Sequence, residues 1–127
     1  MSRENIELVL AGYERLSRGD FAWLDDDFEL VTSPENPDAG SYRGEDARRW
    51  LATWAAAFEE HTIEATELID LDDKVVAGIT QRVRLHQSDT MFEEHWWQVG
   101  TFRDGTLKRV ETYRSRAEAL NAAGLTE

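Results

Sequence analysis

The sequence contains no cysteine, which excludes disulfides, thiolate metal sites and cysteine nucleophiles. It has only two prolines, Pro34 and Pro37, and they fall in one short stretch. The rest of the chain can therefore run in long uninterrupted elements. Bases are scarce as well: 14 Lys and Arg stand against 26 Asp and Glu, a net charge of −12. A nucleic-acid partner would require a basic surface to displace counterions, and none is visible. An anionic membrane surface would repel the chain for the same reason. No apolar run approaches the length of a membrane span. Glu4 and Glu7 interrupt the apolar residues near the start, so no secretory leader is expected. A cysteine-free acidic chain of this kind suits the reducing cytoplasm.

What remains is ordinary globular material with one excess. The 127 residues are 41% hydrophobic, enough for one domain over 1–127 with a core of its own. Five of them are tryptophan, which points to an interior walled by large flat side chains.

Hydrophobic spacing gives the element order. Ile6, Val9, Tyr13 and Leu16 recur at helical intervals, with Ser2 as a possible cap and Gly19 as a stop. Asp20 can cap a short second helix carrying Phe21 and Leu24, and Asp25-Asp26-Asp27 reads as its solvated end. Phe28 to Ser33 reads as a short strand, and "PENPDAGSYRG" as a loop. Ala47, Trp50, Leu51, Trp54 and Phe58 form one apolar stripe, predicting a helix over Glu45 to Glu59.

The period then drops to two. Thr62 to Leu71 is strand-like, with Ile63, Ala65, Ile69 and Leu71 on one face. Val75, Ala77, Ile79, Val83 and Leu85 form the apolar face of a second long strand. Ser88-Asp89 and Arg103-Asp104-Gly105 are turns, and Leu107 to Arg114 completes a meander. Ser115 to Glu118, "SRAE", is a capping box that opens a last helix ending at Gly124. The pattern predicts an α+β domain: a curved antiparallel sheet whose helices cover one face and make a half-cone.

Three stretches carry a family resemblance: "RLSRGD" at 15–20, "YRGEDARRWLATWAAAF" at 42–58 and "QVGTFRDGTLKRVETYRSRAEALNAAGL" at 98–125. On these the whole chain resembles the SnoaL-like branch of the nuclear transport factor 2-like superfamily, distantly similar to ketosteroid isomerase. The resemblance implies a cone-shaped α+β fold with helices on the concave face and a pocket inside. It implies function only loosely, because such proteins include isomerases, dehydratases, cyclases, epoxide hydrolases, binding modules and transport factors. It also gives a use to the doubled tryptophan in "EHWWQVGTFRDG" (94–105), where neighbouring side chains point to opposite faces. Trp96, Gln98 and Phe102 would face the pocket. Trp97, Val99 and Thr101 would pack against a second copy in a homodimer.

The resemblance implies catalysis only where the required groups exist. The isomerase base would stand at Ser33, before Pro34, and serine cannot serve unaided. The isomerase tyrosine aligns with Gly12, leaving Tyr13 one residue out and turned about 100° away. Gln98 stands where an oxyanion-binding acid would be, and an amide cannot titrate. An epoxide hydrolase arrangement lacks its paired inward aspartates, and His61, His86 and His95 read as solvent or interface residues.

Polar residues nevertheless fall on apolar faces: Glu67 between Ala65 and Ile69, Gln81 between Ile79 and Val83, and Glu94 on the face of Trp96. Each alone has a bland explanation, such as Gln81 bonding Gln98. Together with Trp50 and Trp54 they fit a polar-tipped pocket. Glu94 and Glu67 are the acid–base candidates. No metal site or cofactor is expected. The first reading is a binder of a hydrophobic small molecule. The alternatives are an isomerase, dehydratase, cyclase or hydrolase acting on a ring-containing substrate, and a dimerisation module with a filled core.

Overall fold

The computed structural model describes residues 2–33 and 39–125. Residues 34–38 of the expected proline loop and the capping side chain of Ser2 lie outside the described residues, and Ser41–Arg43, expected within that loop, form a short strand instead. In chain order the elements are α1 (Ser2–Ser17), β1 (Glu29–Val31), β2 (Ser41–Arg43), α2 (Glu45–Ala56), β3 (Phe58–Asp70), β4 (Lys74–Leu85), β5 (Met91–Arg103), β6 (Thr106–Tyr113) and α3 (Arg116–Ala122). Among the described residues no helix is long and apolar enough to cross a membrane.

The strands form one sheet in the order β2-β1-β6-β5-β4-β3. It is mixed rather than antiparallel, because β1 pairs with β6 in parallel, Leu30 opposite Val110. Residues 21–24 make turns and no helix. The Asp20 carboxylate accepts from Ala22 N–H at 3.3 Å, but the capped segment does not continue. The three aspartates that follow are engaged. Asp25 and Asp27 both accept from Lys108 Nζ, at 3.0 and 3.1 Å, and Asp26 pairs with Arg48 at 2.9 Å. Gly44 starts α2 at φ +55°, and a Cβ there would lie 2.2 Å from the Asp26 carbonyl oxygen, so only glycine fits. Helix α2 stops at Ala56, and Phe58 begins β3 opposite Leu85. The stripe that reads as helical through Phe58 therefore turns into a strand two residues early.

Two of the three register shifts among the described residues decide which side chains face inward at the site. In β3 the pairing slips between Ala65, opposite Ile79, and Glu67, opposite Gly78. A one-residue slip reverses the faces of everything beyond it. Ile63 therefore stays on the concave face with Gln81, whereas Ile69 and Leu71 pack on the convex face with Val76. The second slip, between Thr101 and Phe102, sets Phe102 opposite Leu107 and turns Lys108 outward.

The helices do not share one face. Val9 of α1 packs with Val75 and Phe102 on the concave side. Helix α3, opened by the expected Ser115–Glu118 capping box, lies on the convex side, where Ala119 and Leu120 bury Val76 and Val99. One helix thus occupies the surface that the doubled tryptophan left for a second copy. Trp97 also packs into this cluster, with its indole against Gly78, where a Cβ would come within 2.9 Å of the ring.

Candidate functional site

The concave face of β3–β6, together with α1 and α2, encloses a cavity of about 760 Å3. Four of the five tryptophans line it: Trp23 from the turn after α1, Trp50 and Trp54 from α2, and Trp96 from β5. Trp50 and Trp54 are four residues apart and so share one helix face. Trp50 leans on Tyr42, with ring centres 6.0 Å apart. Trp54 meets Phe58 and His61 edge-on, at 5.2 and 5.4 Å. Trp23 lies against Gly12 and is fixed by its indole N–H, which donates to the Asp20 carbonyl at 2.8 Å.

Across the wall runs a polar chain. The Tyr13 hydroxyl donates to Gln98 Oε1 at 2.8 Å, and Gln98 Nε2 donates to Thr112 Oγ1 at 3.2 Å. Gln98 is thus satisfied by Tyr13 and Thr112, not by Gln81. Burial pushes the Tyr13 hydroxyl well above its ordinary pKa, so it is a neutral phenol at physiological pH. Part of the ring surface still faces the cavity. Tyr13 is thereby corrected from a residue turned away to one that borders the hollow: α1 presents Gly12 and Tyr13 together, and Gly12 is filled by Trp23.

The remaining candidates separate by position. Gln81 and Glu94 face each other across β4 and β5, both on the cavity wall. Gln81 is half-buried, and Glu94 lies exposed at the rim. Glu67 is not at the site. The β3 bulge sends it to the convex face, where it pairs with Arg116 at 3.0 Å. Phe102 is also outside the lining, because it fills the closed end of the core with Val9 and Val75. Of the residues expected at a dimer contact, Val99 is completely covered by α3, Trp97 is half-buried beneath it, and Thr101 lies near Lys74 Nζ at 3.5 Å.

His61 is not a surface histidine. It lies within β3 against Trp54, its Nδ1 is buried without a partner among the described residues, and burial lowers its pKa. His95 bonds Thr80 at 3.1 Å, and His86 bonds Glu59 and the Ala56 carbonyl. Sequence reasoning missed Trp23, Thr112 and Ser33, all cavity-lining. The hint for Ser33 is the resemblance, which sets it at the position of the isomerase base; Trp23 and Thr112 give none that period or spacing could carry.

No protein-family model matches the chain, and no curated protein does. Solved structures do. TerC, co-crystallised with polyporic acid, is 24% identical, with a TM-score of 0.73 over 96% of this chain and 97% of that one. A nuclear transport factor 2-like protein from Burkholderia xenovorans LB400 is 23% identical, with a TM-score of 0.68 over 100% and 98%. The chain has the nuclear transport factor 2-like fold. A protein assigned as a SnoaL-like polyketide cyclase from Jannaschia sp. CCS1 shares this fold at 15% identity, with a TM-score of 0.71 over 88% and 85%.

On this fold, the chemistry open to the cavity is limited by its ionisable groups. Asp46 is tied to Arg49 at 3.0 Å, Tyr13 stays protonated, and Glu94 stands at the rim. Among the described residues no carboxylate stands beside Gln98 to take or give a proton.

Proposed function

We propose that the protein binds a hydrophobic, ring-containing small molecule inside the cone. The observation that carries this reading is the cavity of about 760 Å3 with four indole walls and one polar chain, Tyr13–Gln98–Thr112. That volume falls within the range of small-molecule sites, about 300–1,000 Å3, and flat apolar walls with a few fixed polar groups are their usual lining. Co-crystallisation of TerC with polyporic acid is consistent with the fold holding an organic molecule. Binding without catalysis is favoured over an isomerase or hydrolase because the polar chain cannot titrate near neutral pH.

The test uses 1-naphthalenemethanol, a neutral ring compound. It should raise the melting temperature saturably, and Thr53→Trp should weaken the shift. Thr53 is an exposed position on the cavity rim, so an indole there obstructs entry without disturbing the core. No saturable shift, or one indifferent to Thr53→Trp, would overturn the reading.

We also propose that two copies pair through the part of the convex face that α3 leaves open, around Arg82 and His95. Light scattering should give twice the 14.6 kDa chain mass, and a monomer at micromolar concentration would refute it.

A further inference from the structure

The cavity carries one unbalanced charge. Its lining holds Asp46, Arg49 and Glu94 as charged side chains. Arg49 is held by Asp46 at 3.0 Å and by Glu45 at 3.4 Å. Glu94 pairs with no cation among the described residues, although the sheet is rich in such pairs elsewhere. Its neighbour Glu93, on the opposite face, is bound to Arg82 at 2.9 Å. Beside Glu94 stands Gln81, its register partner on β4, half-buried and likewise without a hydrogen bond among the described residues. Side chains directly opposite in an antiparallel pair lie side by side. The cavity rim therefore presents a carboxylate and an amide carbonyl together, both acceptors, both unused.

Next along β5 on the same face is Trp96, whose ring already carries the Arg114 guanidinium at 4.5 Å. Trp23 carries Arg15 in the same way at 5.5 Å. Two of the four indoles thus already hold a cation within the protein. Trp50 and Trp54 face the cavity from α2.

Resting on the cavity reading above, we infer that the preferred ligands are protonated primary or secondary amines. The ring would lie among the tryptophans and the ammonium at the rim between Glu94 and Gln81. An ammonium with two N–H groups can donate to both acceptors at once. An anionic ligand would meet the Glu94 carboxylate at the rim, and a neutral one would leave Glu94 and Gln81 to water. The net charge of −12 acts in the same sense, raising the local concentration of cations. Glu94 accordingly serves as a specificity residue, not as a general base.

The experiment compares three probes of similar size by titration calorimetry: 1-naphthylmethylammonium, 1-naphthalenemethanol and 1-naphthoate. The cation should bind tightest and the anion weakest. Glu94→Gln should remove about a threefold share of the cation's advantage over the alcohol, the scale of one screened charge pair. Added salt should shrink the same advantage. If the alcohol binds and the cation is no tighter, the charge inference fails and the cavity reading stands. A cation preference that survives intact in Glu94→Gln would also overturn it. If none of the three binds, the cavity reading itself falls.

Discussion

Tyr13 and Gln98 are linked by a 2.8 Å hydrogen bond between α1 and β5, 85 residues apart in sequence. A double-mutant cycle with Tyr13→Phe and Gln98→Leu isolates what that bond contributes. Tyr13→Phe removes a donor and leaves Gln98 Oε1 without its partner, while Gln98 Nε2 keeps Thr112. Gln98→Leu removes both bonds and leaves the buried phenol unsatisfied. An unsatisfied buried polar group costs about 1–3 kcal/mol. The cavity lets water reach part of the tyrosine, which places each single substitution near the lower end, about 1–2 kcal/mol. In the double variant the phenol and the amide are both gone, so the penalties do not add. The coupling should be about 1 kcal/mol, measured as midpoint shifts in urea at unchanged slope. Additivity within about 0.3 kcal/mol would mean that the two side chains do not share a bond in solution. The polar chain on which the cavity reading stands would then be wrong.

Gly78→Ala should destabilise by about 1–2 kcal/mol despite alanine's better fit to a strand, because the new methyl meets the Trp97 ring at 2.9 Å; a gain in urea midpoint would refute the close packing. Glu67→Gln should change stability by no more than about 0.5 kcal/mol, since its pair with Arg116 is partly exposed, and should leave naphthalenemethanol binding untouched. The histidines should pull in opposite directions with pH. The Ala56 carbonyl, then the Glu59 carboxylate, raise the pKa of His86, and only its charged ring can donate to both. Its contribution is fully present below the ordinary value of 6.5 and is lost as pH climbs through the raised one. Burial lowers His61, so its contribution is present above 6.5 and shrinks as pH falls toward the depressed value. NMR titration should show the two resonances on opposite sides of 6.5, and coincident midpoints would contradict both environments.

Much of the fold was legible because its signals are local. The α2 stripe, the period-two runs of β4 and β5, the Arg103–Gly105 turn and the Ser115 capping box each depend on residues within a few positions of one another. That Trp50, Trp54, Trp96, Gln81 and Gln98 share one side of the fold follows from counting along those elements. Counting failed where the period itself broke. Glu67, Ile69 and Leu71 were placed on the wrong face because nothing in the sequence of β3 announces the bulge after Ala65. Phe102 lies next to the second bulge and packs into the core instead of the cavity wall. Matching "RLSRGD" to the family sets Gly12, not Tyr13, at the isomerase tyrosine position, yet α1 lies so that Gly12 meets Trp23 while Tyr13 reaches Gln98.

The sequence by itself determined the long elements, the absence of thiol chemistry and the strong acidity, since these are properties of residues and of their near neighbours. Tertiary structure alone decided that α3 covers Val99, that β6 inserts beside β1 in parallel, and that a hollow remains among the indoles. Those outcomes depend on how separately formed elements meet, and the energies that choose between meetings are summed over contacts distant in sequence. No local pattern records that sum.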